Sequence, residues 1–109
     1  MAFDVLLATR MRAIFESVPG LEEKKMFGGV GFLFNGNMAC GVHKDNLIIR
    51  VGPANYEEAL SNPYTKVFDF TGKPMAGWIM VNPQGSMTES DLKYWIDQGV
   101  KFALSLPGK

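Results

Sequence analysis

An Asn35-Gly36 pair between alternating apolar residues is the feature that most restricts how this chain can fold. Asn-Gly is the strongest short-range signal for a two-residue hairpin, because both turn positions require positive φ. A second break, Lys44-Asp45-Asn46, follows one strand length later. Residues 25–51 therefore predict an antiparallel three-stranded meander with one apolar face and one face of small residues. The apolar residues alternate along the three strands as Phe32 and Phe34, then Met38, Cys40 and Val42, then Leu47, Ile49 and Val51.

Helical spacing of apolar residues marks both ends of the chain. Residues 3–18 predict a first helix that Pro19-Gly20 terminates. A last helix is predicted to begin after Ser86 or Thr88, each of which starts a capping-box pattern, and to run to about Leu106. Gly99 lies in its apolar stripe, so we expect this helix to approach the sheet closely.

The remaining segments complete a two-layer architecture. We interpret residues 22–25 as a charged connector, residues 54–61 as a short helix, and residues 66–70 and 76–81 as two further strands. The predicted order is α-β-β-β-α-β-β-α over a single domain of residues 1–109. Helices at both ends and in the middle can cover one face of the sheet. The fold class is therefore α+β, with a five-stranded, mostly antiparallel sheet and helices on one face.

Composition limits the function classes that fit this chain. Eleven basic and eleven acidic side chains cancel among 109 residues, so no global field attracts nucleic acid or anionic lipid. The single cysteine excludes an internal disulfide and fits a reducing cytoplasm. No apolar run approaches the ~20 residues that span a bilayer, and the first residues lack the pattern of a signal peptide. We expect a cytoplasmic protein.

Cys40 and His43 are the residues to weigh for catalysis or metal binding. Their Cys-x-x-His spacing could supply half a zinc site, but a second pair is missing from the sequence, and strand positions three apart point to opposite faces. Cys40 alternates with apolar neighbours, which favours a buried thiol over a nucleophile. The serines stand in no G-x-S-x-G elbow. We expect neither an enzyme nor a cofactor or metal.

The glycines of residues 28–31 leave two interpretations open. They could form a phosphate-binding loop with Lys25, although the G-K-[ST] ending is missing and a strand follows rather than a helix. They could instead permit a bulge or the close approach of another segment. The one cluster compatible with nucleic acid is Phe27 near Lys24 and Lys25, with Lys44 and Arg50 on neighbouring strands. The predicted helices form no helix-turn-helix pair, so we expect no sequence-specific DNA binding by a monomer.

One segment carries a family resemblance. Residues 25–32 read Lys-Met-Phe-Gly-Gly-Val-Gly-Phe, and this octet, the turned strand pair after it and the Leu-Ile-Ile-Arg-Val run at 47–51 resemble the N-terminal domain of the TfoX/Sxy family. The likeness continues through Asn-Tyr-Glu-Glu-Ala at 55–59, Phe-Asp-Phe at 68–70, the Trp78 strand and the last helix. It covers essentially the whole chain.

The resemblance implies a fold and a process. Its fold would be a two-layer α/β domain similar to secretion-chaperone-like folds. Full-length members are bacterial regulators of natural competence that act with the cyclic-AMP receptor protein and carry a C-terminal helical domain. This chain is expected to be a stand-alone N-terminal domain. The resemblance implies no catalytic or cofactor residue.

These observations lead to three functional hypotheses. The first is a non-enzymatic protein-interaction domain linked to transcriptional regulation of competence-type genes, with a protein partner such as the cyclic-AMP receptor protein. The second is a small-ligand or phosphate-binding module at the glycine-rich strand entrance, and the third is an enzyme using Cys40 or His43. Monomer and homodimer through a sheet edge both remain open. The candidate partner-binding residues are Lys25, Met26, Phe27, Gly28, Gly29 and Arg50.

Overall fold

A computed structural model describes residues 5–16, 20–26, 29–69, 72 and 75–107. Within them the chain forms three α-helices, six strands and two short 3-10 turns, the turns at Pro53–Asn55 and Pro83–Ser86. All neighbouring strands pair antiparallel, in the order β1-β2-β3-β4-β6-β5. The elements are α1 (Val5–Phe15), β1 (Leu21–Met26), β2 (Gly29–Phe34), β3 (Asn37–His43), β4 (Asn46–Arg50), α2 (Tyr56–Leu60), β5 (Thr65–Val67), β6 (Trp78–Val81) and α3 (Glu89–Ser105).

The Asn35-Gly36 hairpin forms as predicted. Asn35 has φ 54° and Gly36 has φ 83°, so both turn residues occupy the left-handed region. The turn places Phe34 opposite Asn37 and joins β2 to β3. The predicted α+β class and antiparallel sheet are confirmed.

The sheet has one strand more than predicted. Residues 22–25, which we interpreted as a connector, lie in β1, which pairs with β2 from Leu21 opposite Phe34 to Met26 opposite Gly29. The four charged residues are exposed because β1 is an edge strand. Its hydrogen bonds to β2 form the strand without the apolar alternation that predicts strands from sequence.

Several predicted boundaries differ from the observed ones; the short helix predicted at residues 54–61, for example, is α2 at Tyr56–Leu60. Helix α1 covers Val5–Phe15, while residues 3, 4, 17 and 18 of the longer prediction lie outside the described residues. Strand β5 ends at Val67; Phe68 is buried beyond it, and Phe70 again lies outside the described residues. Strand β6 begins at Trp78 rather than at residue 76.

The last helix begins at one of the two predicted caps. The Thr88 hydroxyl accepts a hydrogen bond from the Asp91 amide at 3.1 Å, which satisfies a free amide of the first turn. Ser86 instead lies buried in the preceding 3-10 turn.

Helix α3 packs closely on a bulge in β3. Ala39 is skipped in the pairing of β3 with β2, because Phe32 pairs with Cys40 and Leu33 with Met38. A side chain at Gly99 would overlap the carbonyl oxygen of Ala39. The glycine predicted to allow close approach therefore does so at the bulge.

The core lies between the sheet and the helices. Phe15 of α1 packs its ring 5.2 Å from both Phe32 and Phe34 on β2. A smaller cluster of Ile48, Phe68 and Met80 lies on the outer face of the sheet. The core side chains on the helix face of β2, β3, β4 and β6 are Val30, Phe32, Phe34, Cys40, Val42, Leu47, Ile49, Ile79 and Val81.

Among the described helices, none is long and apolar enough to cross a membrane.

Candidate functional site

The strand entrance, which the prediction placed at residues 25–29, extends from the end of β1 to the start of β2. Lys25 is exposed on β1, and Met26 is the last residue of that strand. Phe27 and Gly28 lie outside the described residues. Gly29 is buried, and a side chain there would overlap the carbonyl oxygen of Val42 on β3. The close approach of another segment, one of the two interpretations of the glycines, is what occurs at Gly29.

Arg50 occupies a different environment at the end of β4. Its guanidinium carbon lies 5.3 Å from the Trp78 ring centroid and 5.2 Å from that of Phe102, so the cation lies over two aromatic rings. Gly52, at φ 86°, leaves the space that the Phe102 ring fills. Within the part of the chain that the structure describes, no carboxylate or carbonyl accepts a hydrogen bond from this guanidinium. A guanidinium carries five N–H donors in a planar fork, so this side chain has the chemistry to bind a carboxylate.

Lys25 and Arg50 do not lie together. Lys25 pairs with Val30 and shares the helix face of the sheet, whereas Arg50 follows Ile49 and shares the outer face with Ile48. Three strand spacings separate β1 from β4, which is about 14 Å across the sheet. The candidate residues therefore define two separate contact points.

A cleft between α2 and α3 forms a concave site among the described residues. It encloses about 570 Å³, which is within the range of small-ligand sites. Trp95 and Phe102 supply apolar surface, Glu58 lies on the α2 wall and Lys101 on the α3 wall. The other lining residues are Asn55, Ala59, Ser61, Asn62, Tyr94, Gln98 and Ser105.

The sequence-based prediction missed this cleft. The one local signal was Tyr94, which is exposed and stacks edge-on against the buried Trp95 at 5.0 Å. The cleft is lined by α2 and α3, which are far apart in the chain, so no short-range pattern reveals it.

Cys40 and His43 do not form a reactive pair. Cys40 is fully buried, and desolvation raises the pKa of its thiol far above the ordinary value, so the thiolate nucleophile is suppressed. His43 lies on the outer face, with its ring 6.3 Å from Phe68. The described residues contain no group of three His, Cys, Asp or Glu side chains arranged to hold a metal ion.

Comparison with known proteins identifies a family. The TfoX N-terminal domain model matches residues 13–103 of the chain. A search of curated proteins finds no match. The resemblance predicted from residues 25–32 is thereby confirmed at the level of the family.

Proposed function

The chain belongs to the TfoX N-terminal domain family, and from this premise we propose that it is a non-enzymatic, cytoplasmic domain that regulates transcription by binding a protein partner. The process is regulation of competence-type genes, and the partner is a transcription regulator such as the cyclic-AMP receptor protein. The observation that carries the proposal is the stacked Arg50, a partly buried cation whose hydrogen-bonding edge meets no acceptor among the described residues. Such an arginine fits a carboxylate on a partner.

Two features support a protein partner over nucleic acid. The chain has no net charge, with eleven basic and eleven acidic side chains, so it lacks the field that draws proteins to phosphate backbones. Lys25 and Arg50, on different faces of the sheet, also form no continuous basic surface. We place the primary contact at Arg50 and a second contact at the strand entrance around the exposed Lys25.

Binding to a purified regulator tests the proposal. The full chain should retain the cyclic-AMP receptor protein in a pull-down, and Arg50→Glu should weaken binding by about tenfold or more. Lys93→Glu, on the exposed face of α3, is the control with the same change of charge. Failure to bind the regulator, together with binding of promoter DNA by the domain alone at physiological salt, contradicts the proposal.

The α2–α3 cleft favours a second candidate function, which is the binding of a small ligand. Its volume of about 570 Å³, aromatic surface and opposed charges at Glu58 and Lys101 fit a small polar molecule. The overlap at Gly29 argues against a phosphate loop at that residue of the strand entrance. A thermal-shift screen with nucleotides and metabolites should raise the unfolding midpoint. Ser61→Trp at the rim should abolish that shift, and a screen with no shift contradicts this candidate.

A further inference from the structure

The two edges of the sheet differ in what they offer a partner strand. β5 has three residues, and its Thr65 hydroxyl shares its one proton between the carbonyls of Ala59 and Asn62, at 2.7 and 2.8 Å. β1 has six residues. Among the described residues, no backbone group outside β2 bonds to it. An edge of this length is a template for another strand.

The order of charges along β1 selects the direction of pairing. β1 reads Leu-Glu-Glu-Lys-Lys-Met, so alternation puts Glu22 and Lys24 on the outer face and Glu23 and Lys25 on the helix face. On both faces the acid precedes the base. A parallel copy would place acid beside acid, whereas an antiparallel copy reverses the order and brings acid to base.

Symmetry then restricts the register. A two-fold axis perpendicular to the sheet relates two antiparallel copies of β1 and keeps every residue on its own face. With the axis at Glu23, each Glu22 lies opposite Lys24 of the partner subunit. The two Glu23 carboxylates then face each other, but each already accepts two hydrogen bonds from its own Arg12, at 2.7 and 2.8 Å. With the axis at Lys24 instead, the two Lys24 ammonium groups would face each other. Each has only one ionic contact within its own chain, with the Glu22 carboxylate at 3.9 Å.

We propose that a second copy of this chain pairs with the β1 edge, antiparallel and centred on Glu23, so that two sheets become one. Both helix layers then lie on the same side of the joined sheet. The Arg12–Glu23 contact shows that this flank of α1 faces β1, so the two α1 helices approach each other above the seam. Val5, 41% exposed, and Thr9 lie on the same flank and add side-chain contact to the backbone pairing.

Charged edge residues also serve in many proteins to keep edges apart, and that role predicts a monomer. Exchanging the charges at residues 22 and 24 distinguishes a dimer through β1 from a monomer whose charged edge prevents pairing. Glu22→Lys leaves two lysines on the outer face of β1, and Lys24→Glu leaves two glutamates. Each single variant therefore repels its own copy in the proposed register, and each complements the other. The double variant Glu22→Lys/Lys24→Glu again places one acid and one base on the outer face of β1. Residues 22 and 24, whose side chains lie 3.9 Å apart in the wild type, therefore keep opposite charges.

Light scattering coupled to size exclusion, over a wide concentration range, measures the outcome. The wild-type chain should have twice the monomer mass, and each single variant should dimerise about tenfold more weakly. An equimolar mixture of the two single variants, and the double variant alone, should both return to the dimer mass. Glu57→Lys and Lys93→Glu change the net charge equally away from β1 and should remain dimeric.

A wild-type monomer at every concentration overturns the proposal, as does a dimer that neither single variant weakens. Recovery in the mixture also excludes misfolding as the cause of dissociation, because an unfolded variant has no edge to complement. Circular dichroism of each single variant should match that of the wild type. The inference does not depend on the regulatory role, since it concerns the oligomeric state alone.

Discussion

The buried thiol of Cys40 makes stability depend on pH in the alkaline range. Desolvation raises the pKa of the thiol above its ordinary value of 9.0, so the folded chain keeps the proton that the unfolded chain releases. Stability should therefore be full below pH 9.0 and fall by about 1.4 kcal/mol per pH unit above it. Urea unfolding at about pH 8 and about pH 10 measures this, and Cys40→Ala should remove this part of the loss. If the free energy of unfolding falls equally with pH in the wild type and in Cys40→Ala, the thiol is not the cause.

Gly99 fixes the distance between α3 and the sheet. Alanine favours a helix by about 1 kcal/mol over glycine, but its methyl group would overlap the Ala39 carbonyl oxygen, which belongs to backbone and cannot rotate away. We expect Gly99→Ala to lower the free energy of unfolding by about 2 kcal/mol, as measured in urea. Asp97→Ala, at an exposed position of the same helix, should change it by less than about 0.5 kcal/mol. A gain in stability at Gly99 would mean that α3 lies further from the sheet.

The ion pair of Arg12 with Glu23 joins α1 to β1. A hydrogen bond from Arg12 lowers the pKa of Glu23, so the pair stabilises the fold above the ordinary value of 4.5 and loses that effect as the pH falls through the lowered pKa. Both side chains are over a third exposed, so we expect Glu23→Gln to cost about 0.5 to 1 kcal/mol at neutral pH. The free energies of unfolding of the wild type and of Glu23→Gln, measured in urea, should become equal at acid pH. A difference that persists there would assign the effect to packing.

Structural features that depend on neighbouring residues could be predicted from the sequence. Features that depend on segments far apart in the chain could not. The Asn35-Gly36 turn and the Thr88 cap depend on residues within a few positions, and both form as predicted. β1 depends on β2 for its existence, because four consecutive charged residues carry no strand pattern. Arg50 was singled out, but its position over the Trp78 and Phe102 rings required three elements to meet. The α2–α3 cleft was missed for the same reason.

At the scale of the molecule, the two proposed interfaces occupy different regions. The β1 edge lies at one side of the sheet, and Arg50 lies on β4 beside β6 near the other side. A dimer through β1 would therefore leave both copies of Arg50 accessible to a regulator. A two-fold symmetric dimer presents its contact points in pairs, which suits partners that are themselves symmetric and raises avidity without new contacts.

The sheet order also predicts how the molecule opens. β3 and β4 have hydrogen-bonded neighbours on both sides and bury Val42, Leu47 and Ile49 completely, whereas β1 and β5 are edges. Amide hydrogen exchange followed by mass spectrometry should be slowest in β3 and β4 and fastest in β5. In the proposed dimer, exchange in β1 should slow as protein concentration rises, because pairing protects its outward amides. The Glu22→Lys variant should show no such dependence while retaining slow exchange in β3. Exchange in β1 that is independent of concentration in the wild type would show that this edge stays open.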